Sequence, residues 1–326
     1  MRRGLVLAFV LAGCHQTAST PDGALAPDAA PPPPWWQPKP GDARNWDIQI
    51  HAPFDISAAR TMYVLNLWDV VPSAQTLDYK DNDPVTVPAG QLATAIAELH
   101  GRTPQAIVVC RIETGTLELA APDARKFPGY EASPPDMPTA PKAGSVIGWS
   151  TDTAGERYLD LGHIDLWKTI MFERFALAKT IGCDAVLGDG NDTAYAAQAT
   201  GNTAGFMFTL DDQNAWYRAI ADDLHTRKLS AGMKDAAELP DQADMLAPVY
   251  DWILIQRCAE YQDCDGPRPF INLHKAVLDV DYQINAQQMT GIDPTIACPR
   301  QLQAMIDDGL VKDEALSKTF RYQCLP

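Results

Sequence analysis

Between residues 164 and 192, an amphipathic stripe, a glycine, a short apolar run and an acidic loop follow one another without a break. Trp167, Ile170, Met171, Arg174, Phe175 and Ala178 recur at three- and four-residue spacing, which predicts a helix over 164–181 with Gly182 as its C-cap. Cys183-Asp184-Ala185-Val186-Leu187 is too short for an independent helix. Its apolar residues do not alternate, so it predicts a strand covered on both faces. Gly188-Asp189-Gly190-Asn191-Asp192 ends that strand in a polar loop. Helix, glycine turn, buried strand and acidic loop form one unit of an α/β fold with parallel pairing, and such folds carry chemistry on loops at the C-terminal strand ends. Asp189 stands at such an end; capping a turn or the next helix is the structural alternative.

The alternation recurs. Apolar runs at 46–50, 62–67, 107–112, 230–233, 252–255 and 276–280 predict further strands. Leu92, Ile96 and Leu99 mark one intervening helix, and Trp216, Ile220 and Leu224 another. The second opens with Thr209-Leu210-Asp211-Asp212, a hydroxyl cap with Asp in the capping-box position. About eight such units predict an α/β fold of the (β/α)8 TIM-barrel class, a single domain over residues 35–326. A doubly wound open sheet is the alternative, but no Gly-rich dinucleotide fingerprint follows the early strands.

Met1-Arg2-Arg3 and the apolar run that ends in Leu11-Ala12-Gly13-Cys14 read as an export signal, too short to span a bilayer. The last four residues resemble the lipobox of bacterial lipoproteins. Residues 1–13 are thus expected as a signal peptide and 14–34 as a lipidated Cys14 with a Pro-rich tether; an ordinary export signal is the alternative. The expected location is exported and lipid-anchored, on the periplasmic or outer-membrane/cell-surface side, with the N-terminal lipid as the membrane contact. His15 at mature position two favours the outer membrane by the same analogy. Of seven cysteines, Cys14 is the lipid candidate, which leaves an even number in an oxidising compartment. Cys258 and Cys264 could close a short loop, and Cys298 and Cys324 could pin the C-terminal tail. Cys110 and Cys183 lie in apolar runs and are expected as buried thiols on neighbouring strands, with a third disulfide as the alternative. A formal charge of −16 argues against nucleic acid as a partner and suits a neutral or cationic ligand. The protein is expected to be a monomer.

Zincin, hydrolase-triad and nucleotide-binding chemistry have no anchor, because His-Glu-x-x-His, Gly-x-Ser-x-Gly and P-loop motifs are missing. Neither a metal nor a cofactor is expected. His51 and His163 could line a cleft, although surface or core roles are the ordinary reading. What remains is a set of carboxylates after strands: Asp69, Glu113, Glu118, Asp189, Asp235 and Glu260. Two opposed carboxylates in a groove with aromatic platforms are what glycosidic cleavage requires, one to protonate the leaving oxygen and one to attack or to activate water.

Trp36-Gln37-Pro38-Lys39-Pro40-Gly41, Phe127-Pro128, Gly155-Glu156-Arg157-Tyr158-Leu159-Asp160, Ile170-Met171, Gly182-Cys183-Asp184, Thr200-Gly201, Asp212-Gln213 and the stretch Cys258 to Cys264 carry a family resemblance. In order and context they resemble glycoside hydrolase family 114, endo-α-1,4-polygalactosaminidases with a TIM-barrel fold, over residues 35 to about 282. The resemblance implies a polysaccharide partner rich in α-linked hexosamine.

Departures from the family pattern fall at the rim. Where the family reads Val-Glu-Pro-Asp-Asn, this chain has Val186-Leu187-Gly188-Asp189-Gly190, so the Asp survives and the Glu does not. Ile255-Gln256-Arg257-Cys258 stands for Asn-Glu-Gln-Cys, which puts Gln256 at the position of the second catalytic acid. Val64-Leu65-Asn66-Leu67-Trp68-Asp69 and Lys234-Asp235-Ala236 depart in the same direction. An amide can neither donate an acidic proton nor attack, so the two-carboxylate pair needs a substitute, for which Glu260 and Glu113 are the candidates. The expected catalytic set is Asp189, Glu260, Glu113 and Gln256 in place of the family Glu; Trp36, Asn66, Asp69, Glu118, Asn191, Lys234 and Asp235 are the expected substrate-binding set. Two functions follow: a glycoside hydrolase with a substitute acid, or a catalytically degenerate glycan-binding lipoprotein.

Overall fold

The apolar runs become neighbours in one sheet of a computed structural model that describes residues 33–133, 141–191, 204–235 and 242–324. Cys14 and most of the expected tether lie outside the described residues. In chain order come β1 (Trp46–Gln49), β2 (Met62–Asn66), the hairpin β3 (Gln75–Leu77) and β4 (Val85–Val87), helix α1 (Ala95–His100) and β5 (Ile107–Glu113). A small antiparallel sheet follows, from β6 (Thr116–Glu118), β7 (Ile147–Ser150) and β8 (Glu156–Leu159), before α2 (Lys168–Ile181) and β9 (Ala185–Asp189). The remainder is α3 (Leu210–Thr226), β10 (Ser230–Lys234), α4 (Gln242–Leu246), β11 (Trp252–Gln256), α5 (Cys258–Tyr261), α6 (Arg268–Asn272), β12 (Val277–Tyr282), α7 (Pro294–Gln303), β13 (Asp308–Lys312) and β14 (Arg321–Gln323).

The main sheet runs β1-β2-β5-β9-β10-β11-β12-β13-β14, parallel throughout except for β14 at its edge. Side chains draw its first and last parallel strands together: Lys312 on β13 pairs with Asp47 on β1 at 2.9 Å, and the Trp46 indole donates to the Asp308 carbonyl at 2.7 Å. A nearly closed, TIM-like parallel barrel results. Ile48, Val64, Val109, Leu187, Leu254, Val280 and Leu310 form one buried cluster, while the alternate residues Tyr63, Leu65, Val108, Cys110, Val186 and Ile253 pack with the helices. That division is the period-two alternation of a sheet buried on both faces.

The helices form for the reasons the sequence suggested. Gly182 closes α2 in the left-handed conformation at φ 100°, and the expected stripe of α2 is buried, Arg174 included. Residues 161–166 are a separate 3-10 turn, so the α-helix proper starts at Lys168. Thr209 and Asp212 make the reciprocal capping box of α3. Bridges Cys258–Cys264 and Cys298–Cys324 form as expected. Cys110 and Cys183 correct the preferred reading: they are not free thiols but a third disulfide, tying β5 to the turn before β9. This crosslink spans 73 residues, so a Cys110→Ala/Cys183→Ala variant is expected to lose about 2–4 kcal/mol in urea unfolding. An unchanged midpoint would contradict a stabilising role for the bridge.

Candidate active site

Parallel strands deliver their C-terminal residues to one end of the barrel, where a cavity of about 1100 Å³ opens. Asn66, Arg111, Glu113, Leu187, Asp189, Lys234, Gln256 and Tyr282 line it from the main sheet, Asp69 from the 3-10 turn after β2, and Glu118, Glu156 and Tyr158 from the small sheet. Acids outnumber bases on this wall, with Asp69, Glu113, Glu118, Asp152, Glu156, Asp189 and Glu314 against Arg111 and Lys234.

Asp189 is central and nearly buried. Arg111 Nε donates to its Oδ2 at 2.5 Å, Lys234 Nζ lies 3.0 Å from Oδ1, and the Gly190 amide donates to Oδ1 at 2.8 Å. Burial alone would raise this carboxyl, but the Arg111 and Lys234 charges outweigh it and hold Asp189 below the usual carboxylate range. Glu113 is its register partner on β5. Arg111 also donates to Glu113 Oε1, and Thr116 Oγ1 lies 3.0 Å from Oε2. Here burial prevails over Arg111, with Asp189, Glu156 and Glu118 adding repulsion, and Glu113 is pushed up to about 8. Glu156, which also contacts Thr116 Oγ1, is raised mainly by burial. Gly190 makes this junction possible: at φ 75°, a Cβ there would lie 2.7 Å from both Glu113 Oε2 and Thr116 Oγ1.

On the other side, Lys234 Nζ reaches Asp235 at 2.5 Å, Gln256 Nε2 donates to Asp235 Oδ2 at 3.0 Å, and Tyr282 donates its hydroxyl to Gln256 Oε1 at 2.5 Å. The Gln256 amide uses a donor and an acceptor at once, a role that a carboxylate beside Asp235 would not fill. Asp235 and Arg257 directly follow β10 and β11 with left-handed φ of 51° and 58°, a strained backbone for non-glycine residues at the rim.

Several expected site residues lie elsewhere. Glu260 does not line the cavity; it sits on α5, paired with Arg257 at 2.7 Å and accepting from the Gly291 amide at 2.7 Å. Trp36 packs edge-to-face on Trp252 at 5.9 Å, at the opposite end of the barrel strands. Asn191 is buried beneath the rim between Thr114 and the Trp216 indole. Asp235 holds Lys234 and Gln256 without lining the main cavity. Asn66, Asp69, Glu118 and Lys234 do line it, as does His51, whereas His163 lies outside, beside Asp160.

Sequence reasoning missed Arg111, Glu156 and Tyr282 as site residues. Arg111 left a signal: two residues before Glu113 in a strand, it must share Glu113's face. Among the described residues, the one compact group suited to an ion is Cys258, Cys264 and Asp279, and its sulfurs are joined in a disulfide rather than available as thiolates.

Comparison with known proteins gives these features a context. The sequence model of glycoside-hydrolase family GH114 matches residues 25–324. No curated protein matches the chain. Among solved structures, the chain resembles the Aspergillus fumigatus Ega3 complex with galactosamine at 22% identity and TM-score 0.65, covering 89% of this chain and 97% of that one. It also resembles the glycoside hydrolase domain of PelA from Pseudomonas aeruginosa at 10% identity and TM-score 0.50, covering 86% of this chain and 98% of that one. At these identities the likeness is one of fold.

Proposed function

Because the chain belongs to glycoside-hydrolase family GH114, we propose that its cavity cleaves an α-linked, hexosamine-rich polysaccharide in the manner of an endo-α-1,4-polygalactosaminidase, with Asp189 as the ionised carboxylate and Glu113 as the acid. The observation that carries this reading is the split pair on β5 and β9: Glu113 pushed up to about 8 and Asp189 held below the ordinary range. Neighbouring carboxyls whose environments drive their protonation apart are the signature of an acid working beside an anion. Adjacent parallel strands lie about 4.8 Å apart, and both carboxyls share the Arg111 guanidinium. Such closeness supports attack by Asp189 itself, with retention, rather than water activation across a gap of about 6.5–9.5 Å.

The acid-rich wall supports a cationic sugar as the ligand. Binding of partially deacetylated α-1,4-linked galactosamine polymer is therefore expected to weaken several-fold between low and physiological salt. Salt-independent affinity would remove the electrostatic basis for this substrate class. The fold that accompanies the reading is a closed (β/α)8 barrel in one catalytic domain over residues 35–326. Export and lipid anchoring through Cys14 complete it, and mass spectrometry of the N-terminal peptide tests the lipid.

A second reading has its own support. Gln256 is fixed as an amide between Asp235 and Tyr282 where the family resemblance implies an acid, which favours a groove that binds without cutting. Release of new reducing ends by the wild-type protein supports the hydrolase; saturable binding without release supports the binding protein.

A further inference from the structure

The mechanism above uses Glu113 and Asp189 but leaves Thr116 and Glu156 without a role. Both belong to the small antiparallel sheet, on β6 and β8, which pair beside each other. Thr116 Oγ1 lies 3.0 Å from Glu113 Oε2 and in close contact with Glu156 Oε1. A hydroxyl carries one proton and can donate to one of these oxygens only. The other contact is a hydrogen bond only if a carboxyl supplies the proton. Two ionised carboxylates on one hydroxyl would leave an oxygen facing a lone pair in a buried site, a costly arrangement.

We propose that Thr116 and Glu156 are positioning residues for Glu113, joined in a chain in which Glu113 O–H donates to Thr116 and Thr116 O–H donates to Glu156. The chain holds a proton on the acid until a glycosidic oxygen replaces Thr116 as its acceptor. This role rests on the hydrolase reading. In the reaction, Glu113 gives its proton to the leaving oxygen, which keeps the electron pair of the broken C1–O bond as Asp189 bonds to C1. Water then bonds to C1 as the Asp189–C1 bond breaks, and the water's proton restores Glu113. Neither step consumes Thr116 or Glu156.

The charges around Glu113 are mixed: Arg111 favours its ionised form, and burial with the neighbouring carboxyls outweighs that one cation. Arg111 shares its strand, Asp189 faces it from β9 with Lys234 of β10 on that residue's far oxygen, and Glu118 and Glu156 act from the small sheet. From α2, Arg174 Nη1 reaches only the Glu113 carbonyl, at 3.4 Å. In the proposed chain Glu156 is the anion linked to Glu113 through the Thr116 hydroxyl. Gly190 leaves room for that junction, since any side chain there would meet Glu113 and Thr116 together.

Infrared difference titration of the whole protein, with Glu113→Gln as the blank, reads the Glu113 carboxyl directly. Glu156→Gln keeps an acceptor for Thr116 and removes the charge, so the Glu113 midpoint should fall by at least one pH unit. The basic limb of kcat/KM for polymer cleavage should fall with it. In Thr116→Val the carboxyl band should move to higher wavenumber, because a carboxyl that donates no hydrogen bond has a stiffer C=O, and Thr116→Ser should restore it. An unchanged midpoint in Glu156→Gln, or an unmoved band in Thr116→Val, with native circular dichroism, overturns the chain even if the wild type cleaves polymer. If the infrared shifts occur and no polymer is cleaved, the hydrogen-bonded chain stands and the hydrolase reading fails.

Discussion

Asp189→Asn is expected to lower kcat for polymer cleavage by at least about a thousandfold, measured as reducing ends released. An amide cannot form the bond to C1, and the change also leaves Arg111 and Lys234 without the anion that holds them together. The loss should fall on kcat more than on binding, since the acid-rich wall keeps its other carboxyls. Glu113→Gln should cost about 10²- to 10⁴-fold, the usual worth of a positioned acid. Retention of wild-type rates by Asp189→Asn would remove Asp189 from the chemistry.

Arg174→Leu is expected to be the most destabilising single substitution considered, at about 3–5 kcal/mol in urea unfolding. The Arg174 guanidinium is buried and bidentate on Asp123, at 2.8 and 2.7 Å, with its partner fully buried as well. Trp68 and Phe127 stack on it at 5.3 and 5.2 Å, and Tyr79 donates to Asp123 at 3.0 Å. Removing the cation strands an ionised carboxylate where water cannot reach it. Neutralising both partners with Arg174→Leu/Asp123→Asn should recover part of the loss. A cost under about 1 kcal/mol for Arg174→Leu would show that the pair is not needed to hold α2 to the inserted segment between β6 and β7.

Most of the barrel was legible because parallel strands buried on both faces are continuous apolar runs, and seven of them were read within a few residues of their bounds. The eighth, β13, was not. Asp308, Gly309 and Lys312 interrupt its apolar character, and they are tolerated because Asp308 accepts from the Gly41 amide and Lys312 pairs with Asp47. Burial pushes Asp308 up to about 7, so this strand hides its charge through contacts made far along the chain. Cys110 and Cys183 are neighbours as the apolar runs imply, but such runs do not tell buried thiols from a bridge; the 6.0 Å between their Cα atoms, within disulfide reach, does.

The site divides likewise. Asp189 and Glu113 end apolar strands, and the strand-to-loop change gives them away. Glu260 is close to Gln256 in sequence, but the left-handed Arg257 turns the chain into α5 and carries Glu260 away from the cavity. Glu156 meets Thr116, and through it Glu113, from an inserted antiparallel sheet, a meeting that no local pattern encodes.

The most direct measurement is the pH profile of reducing-end release from partially deacetylated α-1,4-linked galactosamine polymer by the wild-type protein. Glu113 must be protonated to serve as the acid, so cleavage should fall as pH rises through about 8. Asp189 must be ionised, and its lowered pKa puts the acidic limb below the ordinary carboxylate range. Cleavage with that basic limb, lost in Glu113→Gln, is the expected result; polymer bound across the whole range with no new reducing ends would contradict it.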